Sequence, residues 1–336
     1  MKDIGLHIHS FGLRFHFKYA PGFDVFRFME VASQQGFSGV NISANGPRFR
    51  HLGGATPEHL QRVRAKLIEL ELRAELDTSG TDPAHLSAML EVAAAIGADQ
   101  LRTYTRYSGD TDTLIARTTP DLIAVAPAAE ALKINVLLEN HEDFRGRDIA
   151  RIIERVDHPR IRALFDYGNS QMVGEDPIDA LEAMAPYTTS VHMKDHVVVE
   201  HDKALYVQGV VMGSGRLPVS EMTDHLYGIG LRRFCFENVW GYTAPIKVAA
   251  ANLPGTDAFS LEPSHHPYLD ANQLAPEVAV EQEWQAFVAA WTWLREDLNA
   301  GNYRWSQSRA RNLPLGTTTA AFGSDIASDE VDGVGH

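Results

Sequence analysis

The feature that most narrows the fold is an alternation: short apolar, β-branched runs take turns with helix-period segments along most of the chain. Eight runs stand out, at Ile4–His9, Gly39–Ser43, Arg73–Thr78, Gln100–Thr105, Asn135–Asn140, Ile161–Asp166, Thr189–Lys194 and Arg233–Asn238. Parallel strands need a long crossover between them, and an amphipathic helix is the usual one. The intervening stretches supply such helices. In "TPEHLQRVRAKLIELEL" Thr56 can cap the first turn and Pro57 suits the first helical position, and "DPAHLSAMLEVAAAIGA" repeats the signature.

Eight strand–helix units within about 300 residues predict an α/β chain forming a (β/α)8 barrel over residues 1–302. A doubly wound sheet is the structural rival. Its nucleotide-binding form places a Gly-rich turn after the first strand, and "HIHSFGLRFH" has none. The Gly-rich "GVVMGSGRLP" follows no strand-to-helix junction and is expected to be an irregular loop. Two segments exceed a minimal barrel, from about Val197 to Pro218 and from about Gly241 to Glu277. Both follow strands, so both are expected at the C-terminal mouth. The tail, residues 303–336, has few large apolar residues and no periodicity, which predicts a disordered or partner-bound segment.

Composition enters as a filter. With 336 residues, 44% of them hydrophobic, the chain can bury one large core. The start resembles no signal sequence, and no apolar run approaches the ~18 residues of a membrane span, so a soluble, cytoplasmic protein without a membrane partner is expected. The single cysteine, Cys235, excludes an internal disulfide and any thiolate metal cluster. A net charge of −14 and the lack of a Lys/Arg run argue against a nucleic-acid partner. Fifteen histidines make metal binding or proton transfer worth testing.

Side chains at the C-terminal ends of barrel strands converge on one mouth. Those ends carry Glu139 in "NVLLENHEDF", Asp166 in "IRALFDYGNS", His192 in "TTSVHMKDH" and Glu237 in "RRFCFENVW". Glu139 and Asp166 are 27 residues apart, and Asp166 and His192 are 26 apart, each about one βα unit. The 45 residues to Glu237 are one unit plus the insertion. Three carboxylates and one imidazole make an oxygen-rich site suited to Mn²⁺, with Mg²⁺, Co²⁺ or Zn²⁺ as alternatives. Alternation sends His141 to the side of Glu139 and Lys194 to the side of His192. A neutral imidazole beside a cation suits a general base, so His141 is the candidate catalytic residue. His9 on the first strand and Lys194 are candidates for touching substrate, Lys194 also for balancing the carboxylates. In the bland alternative each acid is only a polar strand end and His141 a surface-loop histidine.

The sequence "LLENHEDF", "LFDYGN", "VHMKD" and "FEN" on strands five to eight resembles the sugar isomerase/epimerase superfamily with the xylose-isomerase-like barrel. The resemblance implies that Glu139, Asp166, His192 and Glu237 bind a divalent ion that grips neighbouring sugar oxygens. Ketose epimerases of this kind usually place a substrate-binding His three residues after the Asp. Here that residue is Asn169, a candidate substrate contact that weakens the case for simple ketose epimerisation. The "ENH" ending, "DYGN", the mouth insertions and the length look most like the catalytic alpha subunit of C-glycoside deglycosidases. That likeness implies a 3-keto glycoside substrate, proton abstraction and loss of the aglycone, with a small beta subunit and a homo-oligomer as further partners. Interconversion of free ketoses is the alternative. A DNA-repair nuclease would need more strand histidines and a basic groove. An amidohydrolase would extend the "HIH" of strand one with a lysine at strand four and an aspartate at strand eight, which "QLRTYTRY" and "CFENVW" lack. A non-catalytic sugar-binding barrel is the remaining rival.

Overall fold

The computed structural model describes residues 1–46, 48–261 and 266–305. The first half of the chain runs through β1 (Lys2–His9), α1 (Arg14–Tyr19), α2 (Val25–Gln35), β2 (Gly39–Ser43), α3 (Pro57–Glu69), β3 (Arg73–Asp77), α4 (Pro83–Ile96), β4 (Gln100–Thr103) and α5 (Thr111–Leu132). It continues through β5 (Asn135–Glu139), α6 (Gly146–Val156), β6 (Ile161–Asp166), α7 (Pro177–Met184) and β7 (Thr188–Met193). The hairpin β8 (His196–His201) and β9 (Ala204–Gly209) comes next, then α8 (Val219–Gly228), β10 (Arg233–Phe236), β11 (Thr243–Pro245), α9 (Pro276–Ala300) and β12 (Tyr303–Trp305).

Strands β1 to β7 pair in sequence order and all in parallel, β10 pairs with β7, and β10 closes the ring on β1. This is the eight-stranded (β/α)8 barrel that the alternation predicts. Thr56 caps α3 with its hydroxyl on the His59 N–H, Asp82 caps α4 through the His85 N–H, and a proline follows each. Outward-facing Leu6, Ile8, Val136 and Leu138 pack under the helices in the main core. Trp291 of α9 sits against Phe37, with ring centroids 4.4 Å apart. Burying side chains of this size contributes roughly 1.5–3 kcal/mol each.

Strand ends differ from expectation by one or two residues, because the last side chains leave the ladder to bind neighbouring backbone. Asn140, expected inside the fifth strand, instead accepts the Asp166 N–H at 2.7 Å and donates to the Asp166 carbonyl at 3.1 Å. It thereby ties the ends of β5 and β6 together.

The insertion after β7 is more ordered than an irregular loop. β8 and β9 form an antiparallel hairpin, and β11 from the second insertion adds to β9. Gly209 at the end of β9 is obligatory, since a Cβ there would run into the Val239 carbonyl. The Gly-rich stretch that follows wraps the Asp195 carboxylate, which accepts N–H groups from Gly213, Gly215 and Leu217 at 2.9–3.2 Å. Of the expected tail, Tyr303–Trp305 pairs in parallel with β1. Residues 306–336 lie outside the described residues. Among the described residues no helix is long and apolar enough to cross a membrane.

Candidate active site

A barrel strand sends alternate side chains inward, and interiors of such barrels are usually filled by branched apolar residues. Here the inward positions carry charge, in two layers. The lower layer centres on Glu75 of β3. It receives the Ser190 hydroxyl at 2.8 Å, lies 3.1 Å from His7 Nδ1 and 3.4 Å from Arg233 Nη1. Burial would raise the Glu75 carboxyl, but His7 and Arg233 overcome it and hold the group down at about 2. His7 packs against Gly39, where any side chain would collide with its ring.

The upper layer, two residues further along β1, β3 and β7, faces the C-terminal mouth. Four carboxylates meet there, Asp77, Glu139, Asp166 and Glu237, each 5% exposed or less. His9 bridges two of them, with Nε2 2.6 Å from Asp77 and Nδ1 3.0 Å from Glu237. Burial alone would discharge this ring; the two carboxylates reverse that and push it up to about 9. Arg102 of β4 reaches Glu139 at 2.6 Å and Asp77 at 3.6 Å. Lys194, just past β7, lies 2.6 Å from both Asp166 and Glu237. Burial favours the protonated form of Glu139 and Glu237, yet these cations hold both well below the usual carboxylate range. Asp166 goes the other way, pushed up to about 6 by burial and by Glu139 and Glu237, with Lys194 opposing.

Within this layer Glu139, Asp166 and His192 each offer a ligand atom, all within 4.8 Å of one another. His192 Nδ1 stands 3.4 Å from Glu139 Oε1 and 3.8 Å from Asp166 Oδ2. Those separations are wider than short hydrogen bonds and suit atoms gathered round one ion, and the donor set is that of a hard divalent cation. The other ring nitrogen, Nε2, is 3.1 Å from the Asn41 amide. That amide can turn its oxygen to accept from Nε2–H, which leaves the Nδ1 lone pair for a ligand. A second trio, His9, Asp77 and His192, has the same spacing. It is the more crowded of the two, because His9 already faces Asp77 with Nε2 and both Glu237 and the Phe11 N–H with Nδ1.

The expected site residues therefore fall out as follows. Glu139, Asp166 and His192 converge. Glu237 joins the layer with one oxygen facing His9 and the other facing Lys194. His141 lies at the mouth end of β5, stacked on Tyr104 with ring centroids 3.8 Å apart, and burial lowers it toward the neutral form. Asn169 stands behind the cluster, its amide 3.5 Å from Glu139 and its backbone N–H on Asp166 at 3.0 Å. His9, expected to touch substrate, has both ring nitrogens committed to carboxylates. The sequence reading left strands two to four without function, and so missed Asn41, Asp77 and Arg102. Alternation could have found them, since "GVNIS", "AELDT" and "QLRTY" each place a polar side chain at the level of Glu139.

A closed parallel barrel whose mouth gathers carboxylates, imidazoles and two buried cations defines a class of small-molecule sites at strand C-termini. The chain matches the family described as xylose isomerase-like TIM barrel over residues 29–258, more than half its length, and belongs to that family. It is 28% identical over 226 residues to an uncharacterized protein, YihM, of Escherichia coli K12, covering 67% of this chain and 68% of that one. It is 26% identical over 167 residues to a 3-oxo-isoapionate decarboxylase of Pectobacterium atrosepticum, covering 48% of this chain and 59% of the relative. Among solved structures it resembles a 3-keto-D-glucoside 4-epimerase of E. coli with a TM-score of 0.54 and 14% identity, over 72% of this chain and 94% of that one.

Proposed function

We propose that the chain is a divalent-metal-dependent enzyme that takes a sugar glycoside already oxidised to a ketone at carbon three. It removes the proton at carbon two and eliminates the aglycone from carbon one, as a C-glycoside deglycosidase does. The observation that carries this reading is the convergence of Glu139, Asp166 and His192, with His141 two residues past Glu139 at the mouth end of β5 and lowered toward the neutral form by burial. Glu139, Asp166 and His192 would hold the ion, with Glu237 as the fourth ligand. Lewis acidity at the ketone oxygen is the chemistry a divalent ion supplies when held there.

The chain's own groups account for the rest. His141 accepts the carbon-two proton, and its stacking on Tyr104 fixes the ring for that transfer. The electron pair left behind forms the enolate across carbons two and three. Its collapse restores the ketone, makes the carbon one–carbon two double bond and breaks the bond to the aglycone. The aglycone leaves with the electron pair and takes up a proton, which the protonated His141 returns. Arg102, held between Asp77 and Glu139, keeps the ligand carboxylate ionised and aimed.

Epimerisation is the second reading, since the same enolate reprotonated on its other face gives an epimer. It is favoured by the epimerase fold match, while the decarboxylase relative and that epimerase are both named for 3-oxo or 3-keto sugars. The deciding experiment incubates the purified chain with Mn²⁺ and 3-keto-C-glycosides, and separately with free ketoses. Free aglycone from the first is the expected result. Epimer without aglycone would replace elimination by epimerisation, and inertness of both after Mn²⁺ loading would remove the enzyme reading.

A further inference from the structure

Lys194 sits inside the cluster that the proposed ion would enter. Its ammonium lies 2.6 Å from Asp166 Oδ2 and 2.6 Å from Glu237 Oε2, in a residue only 6% exposed. Asp166 turns that same Oδ2 toward His192 Nδ1 at 3.8 Å. The other Glu237 oxygen, Oε1, faces His9 Nδ1 at 3.0 Å. An ion drawn to Asp166 Oδ2 and Glu237 Oε2 would meet the ammonium that stands 2.6 Å from each, so the cation and Lys194 compete for the same two oxygens.

The partners differ in what they can do. His9 is gripped at both ring nitrogens, by Asp77 and Glu237, and swinging it out would give up both contacts at once. Lys194 lies just past the end of β7, on a four-carbon stem with several rotamers. A doubly charged ion among Glu139, Asp166 and His192 would also face that ammonium at close range in a desolvated layer, where like charges repel strongly. Without the ion, Lys194, Arg102 and the His9 ring are the groups that face the four buried carboxylates.

We propose that Lys194 is an internal counter-ion of the metal cradle, displaced when a divalent cation binds. Displacement frees Glu237 as the fourth ligand and turns the ammonium toward the mouth, where it binds an oxygen of the substrate. This rests on the metal-enzyme reading above, and goes beyond it by giving the apo and loaded sites different arrangements of one side chain.

The test uses the full chain and Mn²⁺ alone. Lysine acetylation followed by peptide mass mapping, with EDTA or with saturating Mn²⁺, reads the position of Lys194 in the wild type. Labelling of Lys194 should rise at least about fivefold with Mn²⁺, while exposed Lys133 and Lys203 stay constant. In parallel, calorimetric titration should show Lys194→Met binding Mn²⁺ at least about tenfold more tightly than wild type, and Lys194→Arg no more tightly. A wild type that binds Mn²⁺ while Lys194 labelling stays flat or falls overturns the displacement, as does a Lys194→Met variant with unchanged or weaker affinity. If Lys194→Met does not fold, the wild-type labelling decides alone. Failure of the metal reading has its own signature: no Mn²⁺ binding to any form. Tight binding by Lys194→Met with none by wild type would overturn the displacement by showing a lysine that never leaves.

Discussion

The two polar layers inside the barrel use similar residue types and on β1, β3 and β7 lie two residues apart, yet they behave differently. In the lower layer one carboxylate, Glu75, is surrounded by Ser190, His7 and Arg233, and is held down at about 2. In the upper layer four carboxylates share three cations, and Asp166 is pushed up to about 6. A buried carboxylate with every neighbour in place is structural. A buried cluster with more carboxylates than cations, opening on the strand C-termini, is where the proposed reading puts a further positive charge.

That contrast can be broken in order of effect. Glu139→Ala should be the most damaging to function, with turnover below about 1 part in 10⁴ and Mn²⁺ binding lost, because it removes a proposed ligand and strands the Arg102 charge. Metal analysis beside a turnover assay checks both. His141→Ala should lower turnover by roughly 10²–10⁴ while Mn²⁺ stays bound, since its ring is proposed to move a proton and to ligate nothing. Equal metal loss in the two variants would make His141 a ligand and end the base assignment. Glu75→Gln should invert the pattern. It should cost on the order of 3 kcal/mol in urea unfolding, from a carboxyl moved from 4.5 to about 2 by its partners, with turnover within about threefold of wild type. Loss of turnover there without loss of stability would merge the two layers into one site.

How much of this was legible in the sequence depends on what kind of interaction makes each feature. The eight strands were readable because apolar periodicity and the Thr56–Pro57 and Asp82–Pro83 caps are local signals. The convergence of Glu139, Asp166 and His192 was readable because strand ends in a barrel meet whatever their spacing. The ion pairs were not. Whether Glu237 points at a metal or at Lys194 depends on side chains from β1, β7 and β10 that meet only in three dimensions. Asp77 and Arg102 were passed over because a lone acid and a lone arginine at strand ends are ordinary, and only their contact with His9 and Glu139 gives them a task. Likewise, "GVVMGSGRLP" looks unstructured until Asp195 supplies the acceptor for its N–H groups.

The smallest expected effect sharpens the lower layer. Ser190→Ala removes one hydrogen bond to the buried Glu75 carboxylate and leaves His7 and Arg233 in place, which should cost about 1.5–3 kcal/mol at neutral pH. Its pH dependence carries the sign. Glu75 has a lowered folded-state value, so its contribution is fully present above the unfolded value near 4.5 and is lost as pH falls toward about 2. Removing the Ser190 hydroxyl raises the folded value toward 4.5, so the variant has less to lose. Urea midpoints for wild type and Ser190→Ala should therefore differ most at pH 6–7 and draw together as pH falls from about 4.5 toward 2. A gap that stays constant down to pH 2 would mean that the hydroxyl stabilises the protein by packing alone, and that the carboxylate is held by His7 and Arg233 without it.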